Sequence, residues 1–360
     1  MTLNVLKARH FRNLDTVNVN LHADINLVFG ENGAGKTSFL ELLYFMVYGK
    51  SPRTHLAQPL VKSGESAFSI QAQIQSMGAM RKISITRQES KSSLEIDNKK
   101  AKRRSEAAFL LPVQFFDATT YRYLSSGPKY RREFLDWGVF HVKPNYRSAL
   151  GEFKKTLQQR NMGLKRGISD SEINIWNIKL SEVSEKIDTM RGDVFRQLVE
   201  HFNKYWQELG HSHERIDLEY CRGWSNDVPN LDSELKKSLS RDRRYGFTQL
   251  GPHRADIKIK VGDQDAFSWL SQGQQKILAY ALYLAQLAML QSSQASRGLF
   301  LVDDLPAELD LEHQKKLVQS LMGVGSQLII TGIAKKDLCH IFEGVDYGLL
   351  HVKAGQLEQM

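Results

Sequence analysis

Cysteine is almost missing from this sequence: Cys221 and Cys339 are the only two in 360 residues, and they form no CxxC pair. That excludes a disulfide framework and a cysteine-based metal centre, and it fits a reducing cytosol. Long apolar runs are missing as well, and none approaches the roughly 18–20 residues needed to span a bilayer. The start, Met1-Thr2-Leu3-Asn4-Val5-Leu6-Lys7, alternates polar and apolar residues without a secretory core. The expected location is the cytoplasm, with no membrane partner. Internal repeats and low-complexity tracts are also absent.

What is present is a globular composition, 41% hydrophobic and 25% charged, which excludes global disorder. The length suits one large domain or two ordinary ones. Lys plus Arg number 49 against 40 acidic residues, a formal net charge of +9. The excess suits a polyanionic partner, although charge alone does not separate DNA from RNA or an anionic membrane.

Short strands surround one conspicuous loop in the first hundred residues. Val17-Asn18-Val19-Asn20-Leu21 alternates like a half-buried strand, and Ile25-Asn26-Leu27-Val28-Phe29 is more continuously apolar, like a central one. Phe68 to Ile74 and Met80 to Thr86 flank Ser76-Met77-Gly78-Ala79 as the arms of a hairpin. The basic run Lys99-Lys100-Ala101-Lys102-Arg103-Arg104 follows, either a solvated segment or a DNA contact. From about Phe134 to Asp242 the texture changes. Ile173, Trp176, Leu180, Val183, Ile187 and Met190 recur at helical spacing, and Phe195, Leu198, Val199, Phe202 and Trp206 continue it. Strand alternation resumes at Ile257, Ile259 and Val261. An apolar helix over Gln275 to Leu290 and short buried strands at Leu299 to Val302 and Leu328 to Ile330 complete the pattern.

The loop after the second strand is Gly30-Glu31-Asn32-Gly33-Ala34-Gly35-Lys36-Thr37, a P-loop of pattern GxxxxGK[ST] without a mismatch. Its glycines let backbone N–H groups converge on phosphate oxygens, and the following helix adds its positive end. Lys36 supplies charge to the β- and γ-phosphates of ATP, and the Thr37 hydroxyl can ligate Mg²⁺. An acidic partner is needed at the end of a neighbouring strand. Leu299-Phe300-Leu301-Val302 leads into Asp303, expected to position Mg²⁺, and Asp304, expected to polarise the attacking water.

Ser271-Gln272-Gly273-Gln274 precedes a long helix. Alone it is an ordinary N-cap turn; in order with the P-loop and the acidic strand it takes the signature position of ABC ATPases. Ala307-Glu308-Leu309-Asp310 stands at the spacing of an ABC D-loop. The chain then resembles the RecF family of ABC/SMC-like ATPases over essentially its full length. The match is carried by His10-Phe11-Arg12-Asn13, the P-loop, and Gly127-Pro128-Lys129-Tyr130-Arg131-Arg132-Glu133-Phe134-Leu135-Asp136-Trp137. Gly251-Pro252-His253-Arg254, Ser271–Gln274 and Asp303 through Asp310 complete it.

The resemblance implies that Arg12 and Asn13 belong to the ATP site and that Gln114 is a Q-loop glutamine sensing Mg²⁺ and the γ-phosphate. It implies an ATP-dependent homodimer, with Ser271–Gly273 of one copy closing over phosphate held by Lys36 of the other. It further implies binding to double-stranded and gapped DNA, and help in loading RecA together with RecO and RecR. Two departures from the wider ABC pattern suit slow turnover. Asp304 replaces the usual glutamate, and Thr331 stands where many relatives carry a switch histidine.

The expected fold is α/β: an ABC-type P-loop ATPase head with a mixed sheet from residues 1–133 and 246–360, and a mostly helical lobe from 134–245. About 11 Lys/Arg against about 3 acidic residues between Arg122 and Arg166 give a local excess near +8, interleaved with aromatics. Lys129, Arg131 and Arg132 are the DNA candidates there. The nucleotide-binding subunit of an ABC transporter is the alternative; the long insertion and the Gly127–Arg132 segment are foreign to it.

Overall fold

The computed structural model describes residues 1–52, 60–76, 78–88, 91–210, 214–228, 230–294 and 297–360. They form two compact units. One comprises Met1–Thr120, Tyr205–Leu209 and Lys276–Met360; the other comprises Tyr121–Lys204 and Gly210–Gln275.

The first unit is built on strands β1 (Thr2–Phe11), β2 (Leu14–Asn20), β3 (Ile25–Phe29), β4 (Ala67–Ser76), β5 (Ala79–Gln88), β6 (Lys91–Ile96), β7 (Lys99–Lys100) and β8 (Val113–Phe116). The second unit supplies β9 (Ile216–Cys221), β10 (Asp256–Val261) and β11 (Gln264–Asp265). The first then resumes with β12 (Leu299–Val302), β13 (Gln327–Gly332), β14 (Gly348–Lys353) and β15 (Gln356–Gln359). Twelve strands join in one mixed sheet, in the order β7-β6-β5-β4-β1-β2-β15-β14-β3-β13-β12-β8.

Sequence pattern divides this sheet. In β4, Phe68, Ile70, Ala72 and Ile74 are buried while Gln71, Gln73 and Gln75 are exposed, the alternation of an antiparallel strand with one wet face. The expected hairpin pairs Ser76 with Ala79; Met77 lies outside the described residues. At the other end, β3, β13, β12 and β8 run parallel, and β12 and β13 are buried at every position. Pairing aligns their carboxyl ends: Val302 faces both Ile330 and Phe116, and Gly332 faces Phe29. In open sheets that edge is where ligands bind.

The second unit contains helices Pro128–Val142 and Tyr146–Arg166, most of the 40-residue helix Asp170–Leu209, and a small antiparallel sheet of order β11-β10-β9. The helical spacing in the sequence is that of this long helix, with Ile173, Leu180, Val183 and Ile187 all buried. Residues 121–133 and 246–275 belong to the same unit as the insertion, and side chains show why. Arg131 donates from Nε and an Nη to both oxygens of Asp256 at 2.8 Å, and Arg132 donates to Ala255 O at 2.7 Å. Arg191 bonds both Asp136 and Pro252 O, joining the two glycine-proline segments through one buried guanidinium.

Candidate nucleotide site

β3 delivers the chain to Gly30, and the loop to Gly35 leads into helix Lys36–Tyr48. A Cβ on Gly30 would lie 2.3 Å from Val352 O, and one on Gly35 would lie 2.7 Å from Leu14 Cδ2. Glycine is required at both because neighbouring chain presses on the loop. Gly33 needs its freedom for a different reason, a φ of 80°. Two flanking turns brace the loop. Asn13 Nδ2 donates to Gly33 O at 2.8 Å, and Gly355 N, in the β14–β15 turn, donates to Ala34 O at 3.1 Å.

Lys36 Nζ spans the loop, donating to Gly30 O at 2.7 Å and Glu31 O at 3.0 Å, with the residue 7% exposed. Burial pushes this ammonium below its ordinary range, while Asp304 and Asp303 push it back up. The next residue, Thr37, donates from Oγ1 to Asp303 Oδ2 at 2.8 Å. The P-loop and the acidic strand therefore meet, although 266 residues separate the two side chains.

Strand order explains what lies between them. β13 sits between β3 and β12, so its last residues reach the gap separating the P-loop from the aspartates. Thr331, fully buried there, donates to Asp303 Oδ1 at 2.7 Å and accepts from Asp304 N at 2.8 Å. One hydroxyl thus fixes a carboxylate and a backbone turn together. Asp304 follows in a left-handed conformation, φ 51°, at the start of the four-residue helix Leu305–Glu308. Burial raises its carboxyl above the ordinary range; Asp303 raises it further, Lys36 opposes, and Glu308 adds a smaller push upward.

Thr331→Val keeps the shape and deletes both bonds, leaving Asp304 N unpaired. The expected result is about a tenfold slower hydrolysis with ATP affinity within about threefold, and a stability loss of about 1–3 kcal/mol. Single-turnover hydrolysis and urea unfolding check the two halves.

Thr37 and Asp303 present hard oxygen ligands side by side, the donor type that Mg²⁺ takes. Other expected members are held by partners of their own. Gln114 faces Phe300 in the β8–β12 pairing, three positions before Asp303, and is 4% exposed. Its Nε2 donates to Gln286 Oε1 at 2.7 Å. Gln114 is thereby held inside the sheet–helix packing, with its own Oε1 buried and unpartnered among the described residues. Arg12 is likewise held, by a two-point ion pair with Glu41 at 2.8 and 2.6 Å, and so buttresses the helix Lys36–Tyr48 from the β1–β2 turn. Glu41 and Gly355 were not singled out in the sequence, because no spacing links them to the loop they support.

Ser271 belongs to the second unit. It opens the helix Gln272–Gln294 as half of a capping box: Ser271 N donates to Gln274 Oε1 at 2.9 Å and Gln274 N to Ser271 Oγ at 3.4 Å. Ser271, Gln272 and Gly273 are exposed, and nothing lies within 4 Å of a Cβ placed on Gly273. Of the D-loop residues, Glu308 pairs with Lys276, Leu309 O accepts from Gln314 Nε2, and Asp310 caps the helix Leu311–Val324 through His313 N.

Several cations of the basic segment have partners within the second unit. Arg131 and Arg132 are spent inside the second unit on Asp256 and Ala255 O. Lys143 and Arg160 pair with Asp193 and Asp242. The local excess counted along the sequence is reduced by three carboxylates that lie outside the counted window, Asp256, Asp193 and Asp242. Lys129 remains exposed, its ammonium 5.6 Å from the centre of the Tyr130 ring.

Comparison with known proteins agrees with this geometry. Residues 2–353 match the family described as RecF/RecN/SMC N terminal domain. The chain is 34% identical over 362 residues to the DNA replication and repair protein RecF of Saccharophagus degradans, covering 99% of this chain and 98% of that one. It is 36% identical over 360 residues to RecF of Coxiella burnetii, with 98% of each chain covered. Among solved structures, the recombination mediator protein RecF-ATP in the RecFOR pathway superposes with a TM-score of 0.87 at 26% identity, covering 100% of this chain and 97% of that one. An Smc head bound to the C-winged helix domain of ScpA gives 0.61 at 14% identity over 100% and 97%, a likeness of fold alone.

Proposed function

The chain belongs to the RecF/RecN/SMC N terminal domain family and is a DNA-repair ATPase of the RecF type, and from that premise we propose that it is a slow, ATP-gated switch on DNA. The observation that carries the reading is the linked set Lys36, Thr37, Asp303, Thr331 and Asp304 at the carboxyl edge of β3, β13 and β12. Similarity to RecF proteins along the whole chain favours it over a transporter subunit.

In this mechanism the loop N–H groups and Lys36 bind and orient the phosphates of ATP. Thr37 and Asp303 would hold Mg²⁺, which would neutralise charge on the phosphate oxygens. Asp304 orients the attacking water and draws its proton. Aspartate is one methylene shorter than glutamate, so its oxygens stand further from the water and turnover is slow. The exposed Ser271–Gln274 helix start of a second copy completes the site, its N–H groups meeting the γ-phosphate. ATP therefore holds two copies head to tail, and hydrolysis releases them.

Duplex and gapped DNA are the polyanions that this switch engages, in company with RecO and RecR and in support of RecA loading. The net charge of +9 supports binding through backbone phosphates. The test is anisotropy of a labelled gapped duplex titrated with protein in ATP or ADP across a salt series. Tighter binding with ATP, a linear loss of log affinity with log salt, and DNA-stimulated hydrolysis are expected. Lys129→Glu is expected to lower the salt slope by about one phosphate contact. Binding indifferent to both nucleotide and salt sinks the reading.

A further inference from the structure

Glu308 closes the short helix that begins beside Asp304, and Lys276 of another helix contacts it. Lys276 and Tyr280 are four residues apart in Gln272–Gln294, so they share one face. Lys276 Nζ lies 2.9 Å from Glu308 Oε2 and donates to Glu308 O at 3.2 Å. The Glu308 side chain is only 8% exposed, so this pair sits largely out of water. Tyr280 is fully buried, its ring stacked on Phe116 with centroids 3.6 Å apart.

The Tyr280 hydroxyl is buried without a hydrogen-bond partner among the described residues. Burial pushes its phenol up, and the negative charges of Glu308 and then Asp117 push it further, so the hydroxyl lies within the field of both carboxylates. An unpaired buried hydroxyl costs about 1–3 kcal/mol. A phenylalanine would make the same ring stack without that cost. The hydroxyl is thus an unused buried donor on the helix face that carries Lys276, available to bond the Glu308 carboxylate when that carboxylate shifts.

We propose that Lys276 and Tyr280 are positioning residues for hydrolysis, which hold the Glu308 end of the turn whose other end carries Asp304. Lys276 fixes both the carboxylate and the carbonyl of Glu308. Tyr280 receives the carboxylate as the turn adjusts during the reaction. Asp304 is in a left-handed conformation, which carries some strain in a non-glycine residue and is held here by its surroundings. Thr331 enforces it from one end and Lys276 from the other. The inference rests on Asp304 being the residue that orients the water.

The experiment uses the full chain with ATP and Mg²⁺, measuring single-turnover hydrolysis, affinity for a fluorescent ATP analogue, and thermal unfolding. Lys276→Met is expected to slow hydrolysis about 30-fold with affinity within about threefold, and Lys276→Arg to return the rate to within about fivefold of the parent. Tyr280→Phe is expected to slow hydrolysis about fivefold while the unfolding midpoint holds or rises. A Tyr280→Phe rate equal to the parent overturns the role of the hydroxyl. A Lys276→Met rate equal to the parent, or a rate that falls only as affinity falls, overturns the role of the lysine. Asp304→Ala separates the two levels. If it hydrolyses ATP like the parent, the reading of Asp304 fails; if it is inactive and Lys276→Met is unaffected, only the present inference fails.

Discussion

Asp303→Asn is expected to slow single-turnover ATP hydrolysis by about a thousandfold or more, equivalent to about 4 kcal/mol of lost transition-state stabilisation. Asp303 stands where three demands meet. Oδ2 accepts from Thr37, Oδ1 accepts from Thr331, and its charge faces Lys36. An asparagine fills the same space, but one oxygen becomes an NH₂ that cannot accept from either hydroxyl. The hydroxyls can rotate to accept instead, so the fold survives. What is lost is the anionic ligand for Mg²⁺, whose charge stabilisation is worth several kcal/mol. ATP affinity should fall much less, because Lys36 and the loop N–H groups are untouched. Rapid-quench hydrolysis alongside nucleotide binding checks this. A variant that turns over within tenfold of the parent would contradict the role given to Asp303.

The second large effect is on stability. Among the described residues, Arg160 is the largest fully buried side chain of the second unit, and its Nη1 lies 2.8 Å from Asp242, which is also fully buried. The same guanidinium donates to Asn177 Oδ1 and Thr248 Oγ1, at 2.7 Å each. Asp242 Oδ1 accepts from Gln249 N at 3.0 Å. Three helices and the segment ahead of Gly251 are thereby tied to one charge pair. Asp242→Ala leaves the cation buried without its counter-charge and is expected to cost about 3–5 kcal/mol. The double replacement Arg160→Met, Asp242→Leu removes both charges and is expected to cost much less, since a buried pair contributes little net stability over apolar groups of like volume. Urea unfolding of parent, single and double variants gives both numbers. A single variant within about 1 kcal/mol of the parent would show that water or a rearranged carboxylate reaches Arg160.

How much of this was legible in the sequence depended on range. The P-loop could be read because its chemistry is contiguous: glycines, lysine and threonine in one octet, with a buried strand before and a helix after. Asp303 and Asp304 could be read because four apolar residues precede them. The bond from Gln114 to a helix glutamine could not be read from Val-Gln-Phe-Phe, because the partner lies 172 residues away. The bonds of Arg131 and Arg132 to Asp256 and Ala255 were not legible, because a charge count sees neighbours in sequence and those partners are more than a hundred residues away. In the sequence Thr331 reads only as a weak substitute for a histidine. Its two bonds depend on β13 inserting between β3 and β12, a crossover that chain order does not reveal. The same holds for the β14–β15 turn that braces Ala34 through Gly355.

The central claim is that the site of one copy is completed by the Ser271–Gln274 helix start of another, so ATP controls assembly. Light scattering of the full chain at saturating ATP and Mg²⁺, with the slowly hydrolysing Asp303→Asn variant to hold the bound state, tests it most directly. The expected result is a mass of twice 41.1 kDa with ATP and a return to 41.1 kDa with ADP or with Ser271→Arg. A mass of 41.1 kDa at saturating ATP, with hydrolysis per chain independent of protein concentration, would contradict it.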